Sequence, residues 1–314
     1  MSIVCPLSGS SNVTLIEQIN ASDLIKMYNQ ALQADISKEF GDVKQIGYYH
    51  CIDSDLRFFY PMVTGSEKFY EHLQKNPWYY MDDKAEYSYA KNFIKESDLV
   101  MEIGCGRGAF SQKISTKKYV GLEFSRKAKE IAFSNGIIIE NESIQSHSVA
   151  HPAKYDVVCS FQVLEHISEI RSFIESSIKA LKPGGLLIYS LPSADSFLSL
   201  ITNNFYNMPP HHVSFWSDKS LKHIAEIFGM KIVNIEHEKL AEWDKVSWAS
   251  SIILESLRNW LGVQSELLDT SLKYKVLQKI SLLTGEILAK GLINPKVLPQ
   301  GHTVNVVYQK PEHI

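Results

Sequence analysis

Val100–Phe110 reads VMEIGCGRGAF: a short apolar run, one carboxylate, three glycines at alternate positions, then the start of a helical pattern. Glycines so spaced let the backbone turn sharply and come close to a bound group, as strand-to-helix turns at ligand sites require. Working outward, the short apolar runs DLVMEIG, KYVGLEF, GIIIE, YDVVCSF and GLLIYSLP alternate with helical patterns from about Leu99 onward. Ile167, Ile170, Ile174, Ile178 and Leu181 fall on one helical stripe, and KPGG just beyond stops that helix. This alternation predicts an α/β fold, a doubly wound and mostly parallel sheet with ligands at the carboxyl ends of its strands.

Gly104-Cys-Gly106-Arg-Gly108-Ala109 fits both G-x-G-x-G and the relaxed dinucleotide pattern G-x-G-x-x-A. Glu123, 19 residues past Gly104 at the end of the second strand, is placed to accept hydrogen bonds from both hydroxyls of a ribose in either kind of site. Glu102 separates them. A carboxylate beside the loop does little for a pyrophosphate, whereas S-adenosylmethionine carries a cationic sulfonium and ammonium and no phosphate.

The segments EIGCGRG, GLEFS, YDVVCSFQVLEHI and LKPGGLLIYSLP, in this order and spacing, resemble the class I S-adenosylmethionine-dependent methyltransferases from about Tyr87 to Lys310. The resemblance implies a Rossmann-like sheet of seven strands whose last, HTVNVVYQK, is antiparallel. It also implies Glu102, Gly104, Gly106 and Gly108 around the methionine part, Glu123 on the ribose, Ser143 and Ile144 near the adenine, and Phe161 and Gln162 facing the sulfonium. Glu165 reads as the polar first turn of a helix, where a carboxylate suits the dipole. His166 sits at the mouth of the site.

Two flanks break the rhythm. Residues 1–90 read as an irregular, aromatic-rich module, and residues 91–314 as the cofactor-binding domain with a helical insertion at about 246–292 before the last strand. In that insertion Val276, Leu277, Ile280, Leu283, Ile287 and Leu288 recur at helical spacing, as expected of a substrate cap or an oligomer contact. The first flank is similar to the N-terminal module of sugar-modifying methyltransferases that carry two C-x-x-C pairs. Here Ser8 and Ser54 stand where the second thiolate of each pair would be, with Cys5 and Cys51 as the first. Serine is a poor zinc ligand beside thiolate, so a relic knuckle without bound metal is expected, as in the rest of the chain. Tyr70, Trp78 and Tyr80 are candidates for a lid.

NMPPHHVSFWS, residues 207–217, leaves the carboxyl end of the strand LLIYSLP, and its two prolines stiffen the backbone before His211 and His212. Methyl transfer to a hydroxyl needs the acceptor oriented and its proton removed. Imidazole has the right chemistry, with an ordinary pKa near about 6.5. His212 is the expected general base, His211 its support, and His166 the reserve. The acceptor expected from the flank is a hydroxyl of a sugar, nucleotide-sugar or glycan-related small molecule. An NAD(P)-dependent oxidoreductase and a non-catalytic binding module are the competing readings.

Bulk properties narrow the classes. The 314 residues are 45% hydrophobic with a formal charge of -3, so nothing basic points to nucleic acid. No apolar run reaches the roughly 18 residues of a membrane span. The start, MSIVCPLSGSS, lacks the basic and apolar parts of a secretory signal, and four scattered cysteines suit a reducing, cytoplasmic setting.

Overall fold

In the computed structural model the described residues are 3–75, 83–294, 296 and 298–312. Their strands, in chain order, are β1 (Val13–Asn20), β2 (Gln45–Cys51), β3 (Arg57–Tyr60), β4 (Val100–Ile103), β5 (Tyr119–Leu122), β6 (Ile139–Glu140), β7 (Tyr155–Phe161), β8 (Leu181–Pro192), β9 (Ser214–Phe215), β10 (Lys231–Lys239) and β11 (Gln300–Gln309). Seven of them form one sheet in the order β10-β11-β8-β7-β4-β5-β6. The pairs β4–β5, β4–β7, β5–β6 and β7–β8 are parallel, and β11 runs antiparallel to β8 and β10. This is the predicted seven-stranded, doubly wound sheet with its final strand reversed. Its central strands are buried on both faces, as in β4 and β7, which is why they read as continuous apolar runs rather than alternating ones.

The helix Ile170–Ala180 buries Ile170 and Ile174 of the predicted stripe, together with Phe173, Ser177 and Ala180; Ile167 precedes the helix and Leu181 opens β8. It ends before KPGG, which lies inside β8. The helix Asp218–Phe228 is bounded by Ser217, whose hydroxyl accepts from the Ser220 N–H, and by Gly229 at φ 63°.

The flank that the sequence reads as irregular is an antiparallel sheet of order β1-β2-β3-β9. Its fourth strand comes from the far side of the chain: Arg57 pairs with Phe215 and Phe58 with Ser214, directly after His211 and His212. A core of Leu24, Tyr28, Phe40, Ile46, Phe59 and Phe69 fills this module and includes Met208 from the same distant loop. Phe58 and Phe59 thus lie on the core strand β3 and Phe69 on the helix Glu67–Leu73, and the module is stitched to the segment that carries the histidines.

The insertion is two helices, Lys245–Leu261 and Leu272–Ala289, with a small shared core of Leu254, Tyr274 and Leu277. Of the predicted apolar stripe only Leu277 is buried; Val276, Ile280, Leu283, Ile287 and Leu288 are exposed. The helix instead turns Tyr274, Leu277, Ser281, Gly285 and Ala289 inward. A Cβ at Gly285 would lie 2.2 Å from Ser250 Oγ, so the backbones cross too closely for larger side chains on that face. No helix among the described residues is long and apolar enough to cross a membrane.

Candidate active site

The glycine turn leaves β4 with Gly104, Gly106 and Gly108 at φ 70°, 52° and 75°, the left-handed region that side chains disfavour. The turn is fixed to the neighbouring strand, because the Gly104 N–H donates to the Leu122 carbonyl at 2.8 Å. Glu123 completes the clasp. Its Oε2 accepts the Gly106 N–H at 2.9 Å and its Oε1 accepts the Ser125 N–H at 2.8 Å. Beyond the turn the chain forms a short 3-10 segment, Ala109–Gln112, rather than the helix the pattern suggests.

Glu102 does not stand open beside the loop. It is 2% exposed within β4, and the Tyr119 hydroxyl donates to its Oε2. Burial pushes its carboxyl up to about 8, with the Tyr119 bond opposing the rise. Unfolded, this group loses its proton near about 4.3; folded, it holds the proton to about 8. Between those values the native state binds more protons, so stability is present below the unfolded pKa and falls as pH rises, by up to about 1.4 kcal/mol per unit. Glu102→Gln should therefore flatten the loss of melting temperature between pH 5 and pH 8. A parallel decline in variant and unchanged protein would show that Glu102 is ionised when folded.

Ser143 caps the helix Ile144–Ala150, accepting from the Ser146 N–H, while Ile144 packs into the main core. Phe161, buried at the end of β7, makes edge contacts with Tyr87 and Phe110 at 5.0 and 4.7 Å between ring centroids. Gln162 comes next at φ 58°, with its Nε2 donating to Glu86 Oε1 at 3.4 Å. Sequence reasoning missed Glu86, a buried carboxylate at this edge.

The three histidines converge. Ring centroids lie 4.7 Å apart for His166 and His211, 4.8 Å for His166 and His212, and 4.5 Å for the stacked pair His211 and His212. Each ring is oriented through Nδ1: His166 on the His211 carbonyl at 2.6 Å, His211 on the Tyr206 carbonyl at 2.8 Å, and His212 on Asn207 Oδ1 at 3.1 Å. With Nδ1 as the donor in each, Nε2 carries the lone pair. The N-terminal module holds this loop. The Tyr28 hydroxyl meets the carbonyls of Phe205 and Met208 at 2.6 and 3.0 Å, and Tyr70 lies edge-on to His166 at 5.7 Å. Trp78 and Tyr80 lie outside the described residues.

Two expectations change here. The rings do not have ordinary basicity. Burial lowers His166 to about 4, and burial with the neighbouring His166 lowers His211 to about 3. His212 falls well below 6.5 for the same reason, with both neighbours adding to it. All three are neutral at pH 7. Glu165 is also not the polar first turn of a helix, since Leu164–His166 is a 3-10 turn and the helix starts at Ile170. Its side chain is 1% exposed, neither oxygen has a hydrogen-bond partner, and burial pushes it up to about 8.

The glycine turn and the imidazole cluster are neighbours. The turn leaves the carboxyl end of β4 and His166 follows the adjacent parallel strand β7, and a Cβ at Gly104 would lie 2.6 Å from Val163 Cγ2, three residues before His166. Among solved structures the fold is similar to a SAM-dependent methyltransferase from Archaeoglobus fulgidus, at TM-score 0.51 and 18% identity, over 77% of this chain and all of that one. Curated relatives include a ubiquinone biosynthesis O-methyltransferase of Pectobacterium carotovorum, 29% identical over 119 residues, which are 35% of this chain and 47% of the relative. The protein of that name from Klebsiella pneumoniae is 30% identical over 99 residues, 29% of this chain and 41% of the relative. The chain thus spans less than half the length of the curated relatives it matches. A family profile described as a methyltransferase domain matches residues 72–235, more than half of the chain, and the chain belongs to that family.

Proposed function

We propose that the protein transfers the methyl group of S-adenosylmethionine to a hydroxyl of a small acceptor. The observation that carries this reading is the placement of the glycine turn against the segment bearing His166, which sets a cofactor-sized turn beside three neutral imidazoles. Glu123 takes the ribose, and the residues after β6 and at the end of β7, Ser143, Ile144, Phe161 and Gln162, line the adenine and sulfonium. The acceptor's proton leaves at the cluster of His166, His211 and His212, with Tyr70 closing over it. Oxygen as the methylated atom agrees with the names of the curated relatives, which are O-methyltransferases. Residues 1–90 serve as the acceptor-side module and residues 91–314 as the cofactor domain, since the former supplies Tyr28 and Tyr70 to the loop of the histidines. The finer reading of the acceptor is a sugar, nucleotide-sugar or glycan-related hydroxyl, supported by the likeness of the flank to sugar-modifying enzymes. Incubation with labelled cofactor and a panel of nucleotide-sugars and polyprenylated phenols tests it by mass spectrometry. Methylation of the phenols alone overturns the sugar reading.

The flank itself is read as a zinc knuckle that has lost its metal. Its four positions are still together, with Cys5 Sγ 3.4 Å from Ser54 Oγ and Ser8 Oγ 3.9 Å from Cys51 Sγ. The two neighbours able to substitute are engaged elsewhere, His50 on Asp55 at 2.7 Å and Asp53 on Ser10 and Asn12. Cys5→Ser should leave the zinc content of the purified protein unchanged by elemental analysis; a loss of one equivalent of zinc in that variant would contradict a metal-free knuckle. The exposed stripe of Val276, Ile280, Leu283 and Ile287 is the surface assigned to self-association, and a monomer by light scattering at working concentrations would rule it out.

A further inference from the structure

We propose that His166, His211 and His212, with the Glu165 carboxyl beside them, form a binding site for one divalent first-row transition cation. One ring nitrogen from each histidine lies within 4.8 Å of the others, a spacing that a metal can gather. The hydrogen bonds favour metal rather than water. Each Nδ1 is held by an oxygen, two of them backbone carbonyls and the third Asn207, which fixes tautomer and ring orientation and leaves Nε2 as the ligand atom. Outer partners of this kind accompany nearly all metal-bound imidazoles. The hydrogen bonds above use Nδ1 in all three rings, and the Gln162 backbone also bears on the His166 ring.

Glu165 is the independent observation. Its carboxyl is buried, both oxygens lack a partner, and Oε1 lies 3.8 Å from His166 Nε2. A buried carboxyl left without hydrogen bonds is costly unless something else satisfies it, and a cation beside the imidazoles does so. Lys84 is near enough to be felt by Glu165 but forms no ion pair with it among the described residues. Three imidazoles with a carboxyl nearby suit zinc, cobalt or ferrous iron; magnesium and calcium prefer oxygen shells. With zinc–nitrogen bonds of about 2.1 Å in a tetrahedron, the nitrogens stand about 3.4 Å apart.

A second group, Glu140, His147 and His151, has comparable spacing but not the chemistry. His147 spends Nδ1 on Glu142 and Nε2 on the Tyr155 hydroxyl, both at 2.6 Å, so it has no lone pair to give.

This inference rests on the reading of the cluster as the acceptor site and supplies its chemistry. A cation held there would lower the pKa of an acceptor hydroxyl, whose proton would pass to water; the acceptor oxygen would then attack the methyl carbon while the carbon–sulfur electron pair returns to sulfur, leaving S-adenosylhomocysteine.

The test uses untagged full-length protein, stripped with chelator and titrated with Co²⁺, followed by visible absorption and calorimetry. One equivalent should bind with the spectrum of a nitrogen-ligated low-coordinate ion, and Zn²⁺ should displace it while Mg²⁺ does not. His211→Ala should weaken Co²⁺ by about a hundred-fold or more, and Glu165→Gln and Asn207→Ala each by about ten-fold, as for neighbours of the ligands. S-adenosylhomocysteine binding, measured in parallel, reports whether each variant is folded and whether the cofactor reading stands on its own. Failure of the unchanged protein to bind one equivalent of Co²⁺ or Zn²⁺ overturns the site. So does unaltered Co²⁺ binding in a variant that still binds S-adenosylhomocysteine.

Discussion

His212→Ala is expected to lower kcat on the true acceptor by about 10² to 10⁴ while leaving affinity for S-adenosylhomocysteine near that of the unchanged protein. The size is that of losing a group on which deprotonation of the acceptor depends. The selectivity comes from position. His212 is 7% exposed, stacked on His211 at 4.5 Å and tied to Asn207, whereas the glycine turn and Glu123 are built on β4 and β5. Removing the ring leaves a gap in a packed cluster, so some stability is lost as well, and melting curves separate that from catalysis. His212→Ala with full turnover, alongside an inactive His166→Ala, would place the working group on the turn after β7 and leave the loop of residues 207–217 a merely shaping role.

Glu123→Ala is expected to weaken S-adenosylmethionine by ten-fold or more. Losing a two-pronged carboxylate contact to a ribose in a partly dry site costs about 1.5–3 kcal/mol, and about 1.4 kcal/mol is a factor of ten. The structure adds a second reason. Glu123 is also the acceptor for the Gly106 and Ser125 N–H groups, so the variant loosens the turn that approaches the cofactor. Calorimetry on a variant that melts like the unchanged protein decides the matter: equal affinities would mean that the ribose is not on Glu123.

The parts of this fold that are legible in the sequence are those where local pattern and tertiary role agree. β4, β5, β7 and β8 are apolar runs because parallel strands in mid-sheet are covered on both faces, and the turn after β4 declares itself because glycine is the residue that most readily takes its three left-handed positions. No such run marks β10. It is an edge strand with two register shifts, and its half-exposed residues blur the alternation. The sheet of the N-terminal flank is illegible for a different reason. One strand is four residues long and another is two residues borrowed from beside His212, and no local pattern announces a pairing between Phe58 and Ser214. In the helix Leu272–Ala289 the apolar stripe misleads, since close approach at Gly285 turns the smaller face inward. The histidines are legible as residue types, but their meeting is not, because it depends on the turn after β7 and the loop after β8 ending side by side. Glu165 reads as an ordinary helix start, yet the helix begins five residues later.

The central claim is that the turn at Gly104–Gly108 holds S-adenosylmethionine for methyl transfer. Calorimetric titration of the purified protein with S-adenosylhomocysteine and, separately, with NAD tests it most directly. The account predicts saturable one-to-one binding of S-adenosylhomocysteine, weakened in Glu123→Ala, and no saturation with NAD. Saturable NAD binding without any response to S-adenosylhomocysteine would contradict it.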